Sequence, residues 1–177
     1  MSNWNKIFKP IVVLCIICIV ITGALAATNS ATAPVIAAAT AEAQRLARME
    51  LLPEADDFTR VEGIEVENVS DVYAANNGTG WVITSTAKGY GGTMTVMTSF
   101  TPEGQVKQVK VTDAQETQGI GSNVSAKKDY WDKYAGLDGT APLTLGTDVD
   151  AYGGATISSR ALNSAVNSAI AAYNAIP

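Results

Sequence analysis

Met94-Thr-Val-Met-Thr-Ser-Phe100-Thr-Pro-Glu-Gly104-Gln-Val-Lys-Gln-Val-Lys-Val111 is the stretch that decides the fold class. Met94, Val96, Thr98 and Phe100 recur at every second position, the period of a strand face. Thr101-Pro-Glu-Gly104 puts Pro and Gly where a type I turn favours them, so the chain reverses there. Val106, Val109 and Val111 carry the next strand, and the odd step after Val106 is explained by a β-bulge. Lys107, Gln108 and Lys110 read as a solvated edge. Two strands joined by a tight turn make an antiparallel pair, and the rest of the domain is built around it.

On the N-terminal side, Gly89-Tyr-Gly-Gly92 is a flexible corner, preceded by Trp81-Val-Ile83 and Val72-Tyr-Ala74. These two runs flank Asn76-Asn-Gly-Thr-Gly80, which holds the Asn-Gly hairpin signal. Ile64 and Val66 alternate with Glu65 and Glu67 as a further short strand. On the C-terminal side, Ile157, Ala161, Leu162, Ala165, Val166, Ala169, Ile170 and Tyr173 follow the spacing of an amphipathic helix. An Ala-rich helix over residues 37–52, with Glu42, Arg45, Arg48 and Glu50 along it and Pro53 at its end, precedes the strands and packs loosely on the domain. Strands framed by an early and a late helix make an α+β domain with an antiparallel sheet and flanking helices.

The front of the chain is different in kind. Lys6 and Lys9 are the only charged residues before Glu42, and they precede the apolar run from Ile11 to Ala27. That run is at the short end of the length needed to span a bilayer, and the uncharged residues after it can extend it. Trp4 fits an interfacial anchor, and the flanking lysines put the N-terminus in the cytoplasm. The alternative is a cleaved signal peptide, since Ala24-Leu-Ala26 has the form of a cleavage site. Cys15 and Cys18 lie inside the apolar run and read as membrane-buried side chains. Ala31-Thr-Ala-Pro34 is expected to break the membrane helix. The resulting division is a cytoplasmic tip at 1–10, a transmembrane helix at 11–28, a stalk and helix at 29–57, and the domain at 58–177.

Composition narrows the chemistry. The 177 residues contain no histidine, which excludes imidazole acid–base catalysis, His-ligated zinc and a histidine triad. No cysteine lies beyond residue 18, so the exported part has neither a disulfide nor an iron–sulfur cluster. Net charge is -5, and setting Lys6 and Lys9 apart leaves 10 of the 12 basic residues against 17 acidic ones, about −7. An acidic domain has no basic field to replace phosphate counterions, so nucleic acid is not expected as a partner. The bilayer is engaged through the single helix alone.

Two glycine-rich stretches are candidate sites: Glu116-Thr-Gln-Gly-Ile-Gly121 and Asp150-Ala-Tyr-Gly-Gly-Ala-Thr156. The second leads directly into the last helix, whose unpaired amides and positive end suit a phosphate. Thr156, Ser158 and Ser159 add hydroxyls there, and Arg160 a positive charge. The competing interpretation is local: Ser or Thr at a helix start is a cap, and Gly-Gly a turn. Neither stretch has the spacing of a dinucleotide fingerprint or a P-loop.

Asp150 to Thr156 resembles the flavinylation motif of the FMN-binding domain in the G subunit of Rnf electron-transport complexes and the C subunit of the sodium-pumping quinone reductase. In that motif an Asp is followed, after two residues, by Ser or Thr and then Gly-Ala-Thr. Carried over, Asp150 is the motif Asp, Gly153 stands where the family usually has Ser or Thr, Gly154 and Ala155 are the small pair, and Thr156 is the acceptor of FMN through a phosphoester. Lys88-Gly-Tyr-Gly-Gly92 looks like the family's Gly-rich corner. Glu116 to Gly121 looks like its Glu-Thr-Pro-Gly-Leu-Gly segment, with Gln118 in place of Pro.

The resemblance implies a covalent FMN carrier. The ring would lie against the strand region near Thr117, Gly119 and Gly121, with Glu116, Tyr152, Ser158 and Ser159 completing the cofactor-binding set. Tyr90, Tyr130, Trp131 and Tyr134 are further aromatics able to shield the ring, Tyr152 having the strongest claim. Lys127, Lys128 and Lys133 are solvated or partner-facing charges. No residue is assigned a catalytic or metal-binding role. The resemblance further implies a redox subunit without complete activity alone, in a complex coupling ferredoxin:NAD+ electron transfer to Na+ or H+ translocation. Its partners would be the other Rnf membrane subunits and a flavin transferase. Its place would be the cell membrane, single-pass, with the C-terminal domain extracytoplasmic. Two readings compete with it: an anchored, non-catalytic module binding a phosphate-bearing ligand, and a structural subunit that has lost its flavin, hinted at by Gly153.

Overall fold

The structure is a computed structural model that describes residues 8–177. Trp4 and Lys6, which the sequence casts as interfacial anchor and cytoplasmic flank, lie outside the described residues, as does most of the tip at 1–10. The chain falls into two units, one ending at Ala43 and the other running from Gln44 to Pro177.

Helix α1 spans Lys9–Leu51 and is long and apolar enough to cross a membrane. The expected break at residues 31–34 is absent, because α1 continues with Pro34 inside it. Proline removes one backbone donor. The surrounding alanines favour helix, and Thr28 and Thr32 tie their hydroxyls back to the carbonyls of Ala24 and Thr28, each at 3.0 Å.

The second unit is built on five antiparallel strands in the order β1 (Phe58–Arg60), β2 (Val69–Ala75), β3 (Trp81–Lys88), β4 (Thr93–Phe100) and β5 (Val106–Ala114). Sequence order equals spatial order because every connection is short enough to pair neighbours. The β4–β5 hairpin closes as its sequence indicates: the Gly104 amide donates to the Thr101 carbonyl at 3.0 Å, and Gly104 takes φ 88. Ser99 faces Gln108 while Phe100 faces Val106, so Lys107 is the extra residue of a bulge. The bulge returns Val106 to the face of Val109 and Val111. Residues 61–68 do not form the expected strand, since Gly63 and Asn68 adopt left-handed φ values of 84 and 63 that interrupt extended backbone. Ile64 and Val66 still pack, half-buried, against the core.

Both faces of the sheet are covered. Helix α4 (Thr156–Asn174) lays Leu162, Ala165, Val166, Ala169 and Ile170 on Ile83, Met94, Val96 and Phe100. Buried Ser85 fixes it by donating from Oγ to the Ala165 carbonyl at 2.8 Å. The opposite face packs Val82 and Met97 under Ala47, Leu51, Leu52 and Ala55. The end of α1 is therefore firmly seated rather than loosely packed, with Leu51 and Leu52 only 2% and 0% exposed. Arg48, one of the charges spaced along this helix, is buried with its guanidinium 4.0 Å above the Tyr73 ring. Lys107 and Lys110 on the edge strand pair with Glu54 and Glu50. Between β5 and α4 come two short helices, α2 (Ser122–Ser125) and α3 (Lys128–Trp131), and a 3-10 turn at Asp132–Tyr134.

Candidate functional site

Three connections converge at one place: the Gly-rich corner between β3 and β4, the loop after β5, and the turn that enters α4. Together they enclose a cleft of about 460 Å³ lined by Tyr90, by Glu116, Thr117, Ile120 and Gly121, and by Gly154 to Ser158. That volume lies within the range of small-molecule sites. Its walls are these connections and the start of α4.

Two of the three segments owe their approach to missing side chains. Glu116 Oε1 accepts the Tyr90 amide at 2.9 Å, and Oε2 accepts the Ser158 hydroxyl at 2.9 Å. A Cβ on Gly89 would stand 2.0 Å from Oε1, and one on Gly121 2.1 Å from Oε2. The glycines of both motifs therefore make room for one carboxylate.

The turn into α4 separates three hydroxyls that look equivalent in the sequence. Gly154 adopts φ 82, and the Ala155 amide donates to the Tyr152 carbonyl at 3.0 Å to close the turn. Ser159 is buried, accepting the Tyr152 amide at 3.0 Å and donating to the Ala155 carbonyl at 3.0 Å. Ser158 is buried and bonded to Glu116. Thr156 alone of the three is exposed, as the first residue of α4 on the cleft. Ala155 at the cap position supplies no side-chain bond. The first-turn amides of a helix lack intrahelical acceptors, and their end carries positive potential. A phosphate at Thr156 fits that environment.

The remaining predicted residues divide. Thr117 and Gly121 line the cleft beside Gly154 and Ala155. Gly119 does not; it takes φ 78 and its amide donates to Ser122 Oγ at 2.9 Å, so it shapes the loop. Asp150 is exposed, and its carbonyl accepts the Tyr130 hydroxyl at 3.0 Å. Gly153 is exposed with nothing within 4 Å of a built Cβ, so the site leaves room for the Ser or Thr usual there in the motif. Tyr152 packs edge-on against Tyr130 at 5.9 Å, outside the cleft lining. Tyr130 and Tyr134 are core residues, and Trp131 donates its indole N–H to the Val124 carbonyl at 2.7 Å. Of the aromatics, Tyr90 is the one on the cleft, and it is 70% exposed.

Sequence reasoning missed Ile120 and treated Ile157 as core. Both line the cleft, 54% and 51% exposed. With Tyr90 they give the cleft an apolar side of the kind that marks a ligand surface. The available signal was an isolated large aliphatic residue beside glycine or hydroxyl residues, where no buried face calls for one.

Comparison with known proteins places the chain in a family. The FMN-binding domain family matches residues 89–171, a range that contains every cleft-lining residue. The RnfG N-terminal region matches residues 1–51. The G subunit of the Na+-translocating ferredoxin:NAD+ oxidoreductase complex of Acetobacterium woodii is 30% identical, over 97% of this chain and 93% of that protein. The corresponding G subunit of the proton-translocating ferredoxin:NAD+ oxidoreductase complex of Clostridium ljungdahlii is 31% identical, over 96% of this chain and 92% of that protein. In Methanosarcina acetivorans, the G subunit of the ion-translocating oxidoreductase complex is 29% identical, over 96% of each. With one apolar helix long enough to span a membrane among the described residues, and with its FMN-binding domain, the chain is a single-pass membrane protein and belongs to the G-subunit family of the ion-translocating ferredoxin:NAD+ oxidoreductase complexes.

Proposed function

We propose that this chain carries FMN in the cleft, joined from its phosphate to Oγ1 of Thr156, as the membrane-anchored electron-transfer subunit of such a complex. The exposure of Thr156 at the start of α4, where Ser158 and Ser159 are buried and engaged, is the observation that carries the assignment. When bound, the flavin supplies the redox chemistry, which requires no acid–base side chain from the protein. The chain's own part is to bind and orient. The first-turn amides of α4 would hold the phosphate, Ile120, Ile157 and Tyr90 would cover apolar surface, and Thr117 would offer a hydroxyl.

The tether keeps the cofactor in place on the extracytoplasmic side, where a released flavin is lost. That side follows from Lys6 and Lys9 before the apolar run, with no charge after it until Glu42. Attachment is the work of a separate flavin transferase: Thr156 Oγ1 bonds to the phosphorus of a flavin phosphate donor, the donor's bond from phosphorus to its leaving group breaks, and the hydroxyl proton departs with that group. The domain's partners are the other membrane subunits of the complex, which couples ferredoxin:NAD+ electron transfer to Na+ or H+ movement.

Intact mass of the full chain, produced together with the transferase, tests the assignment. The expected result is a gain of one FMN less one water, lost in Thr156→Ala and kept in Thr156→Ser. An unmodified mass and a colourless preparation overturn it.

A further inference from the structure

Glu116 stands where the three walls of the cleft meet, and each wall is held to it by a different contact. Its Oε1 accepts the backbone amide of Tyr90 in the β3–β4 corner, and its Oε2 accepts the hydroxyl of Ser158 in the first turn of α4, both at 2.9 Å. The third wall is Glu116's own loop, which returns at Gly121 so closely that any side chain there meets the carboxylate. Of the exposed apolar residues of the cleft, Tyr90 makes one of these contacts through its own amide, and Ile120 and Ile157 are next to Gly121 and Ser158. Without Glu116, no other hydrogen bond of the described residues joins the corner to the first turn of α4. Both carboxylate oxygens are turned to neighbouring protein donors, which makes the group a bridge and leaves ligand contact to its neighbours.

We infer that Glu116 is a positioning residue, a carboxylate latch that holds the Tyr90 corner and the start of α4 in register around the flavin. The inference rests on the proposed flavin site, and it concerns acceptor geometry. Glutamine has the same shape, can accept the Tyr90 amide through its carbonyl, and can donate to Ser158, whose hydroxyl both donates and accepts. Alanine can do none of these. The Ser158 bond is shared between two side chains, so Ser158→Ala releases α4 and leaves the Tyr90 contact in place.

The test uses the full chain with Glu116→Ala, Glu116→Gln and Ser158→Ala, each made with and without the transferase. In flavin-free protein, hydrogen exchange at the Tyr90 amide should accelerate at least about tenfold in Glu116→Ala and stay at the wild-type rate in Glu116→Gln and Ser158→Ala. That expectation follows from losing or keeping the acceptor of a charge-assisted bond. In flavinylated protein, the visible circular dichroism of the flavin should collapse toward that of free flavin in Glu116→Ala, weaken in Ser158→Ala and be restored in Glu116→Gln. Wild-type exchange at Tyr90 together with unchanged flavin dichroism in Glu116→Ala overturns the latch. If Glu116→Ala does not fold, wild-type flavin dichroism in Ser158→Ala overturns it instead. Absence of the FMN mass in wild-type protein overturns the flavin reading separately, and the exchange measurement then still decides whether the latch exists.

Discussion

Ser99 Oγ donates to the backbone carbonyl of Leu51 at 3.2 Å and accepts the Gln108 amide at 3.0 Å, so one buried hydroxyl joins the end of α1 to the sheet beside its bulge. Ser99 is 0% exposed, and water cannot replace it. Ser99→Ala leaves a buried amide and a buried carbonyl without this partner, at a cost of about 1–3 kcal/mol. Urea unfolding of the domain should show that loss, while FMN incorporation by intact mass stays at the wild-type level because the cleft lies elsewhere. A variant as stable as wild type removes the hydroxyl from the account of how α1 is fastened.

Two glycines near the cleft should respond in opposite ways. A Cβ at Gly121 would stand 2.1 Å from Glu116 Oε2 and 2.9 Å from Glu116 Cβ, so Gly121→Ala must displace the carboxylate. Forced overpacking of this kind costs about 1–3 kcal/mol, and flavin incorporation should fall with it. Gly153 has open space around it and no left-handed φ. Gly153→Ser should therefore stay within about 0.5 kcal/mol of wild type, with full incorporation. Equal behaviour of the two variants, in thermal unfolding and in mass, contradicts the packing described around Glu116.

The contrast shows what the sequence could and could not convey. Strand alternation, the Pro-Glu-Gly turn and the odd step at Val106 are local signals, and the hairpin and its bulge follow from them. The cleft depends on contacts across long separations, such as Glu116 with Tyr90 and Ser158, and spacing along the chain does not encode these. Local reading also failed where one rule met a stronger context. Pro34 signalled a break, yet α1 runs through it among helix-favouring alanines. The spacing of charges along the helix did not say which of them is buried, and Arg48 stacks on Tyr73. Three hydroxyls at the start of α4 are alike in spacing and chemistry; the motif resemblance points to Thr156, and burial adds a separate distinction from Ser158 and Ser159.

Ile157 and Leu162 belong to the same apolar stripe in sequence, and the fold gives them different tasks. Leu162 is 0% exposed between α4 and the sheet, whereas Ile157 is 51% exposed on the cleft. Leu162→Ala should cost about 2–5 kcal/mol, read as a lower urea midpoint. Ile157→Ala should leave that midpoint close to wild type and instead alter the absorption envelope of the bound flavin, by opening one side of its surroundings to water. If Ile157→Ala destabilises as much as Leu162→Ala, the cleft assignment of Ile157 fails.

Alkaline pH offers a test of the core beneath α4. Tyr134 is fully buried, and burial, with a smaller contribution from neighbouring Tyr130, raises its phenol well above the ordinary tyrosine range. Below the ordinary tyrosine pKa of about 10 the phenol is protonated in both folded and unfolded chains, so its contribution to stability is fully present. Above that pH the unfolded chain releases the proton while the folded chain retains it, and the equilibrium moves toward unfolding. Stability should therefore decline as pH rises past about 10. Tyr134→Phe removes this one group while keeping its ring volume, and sacrifices only the long 3.4 Å contact with Asn163. At neutral pH the variant should lie within about 1 kcal/mol of wild type, and between about pH 9 and 11 its decline should be shallower. Comparing the two proteins isolates this one hydroxyl, because every other residue is common to both. Parallel declines for the two in a pH series of thermal midpoints show that Tyr134 is ionised without penalty in the folded domain, and place its hydroxyl in water and not under α4.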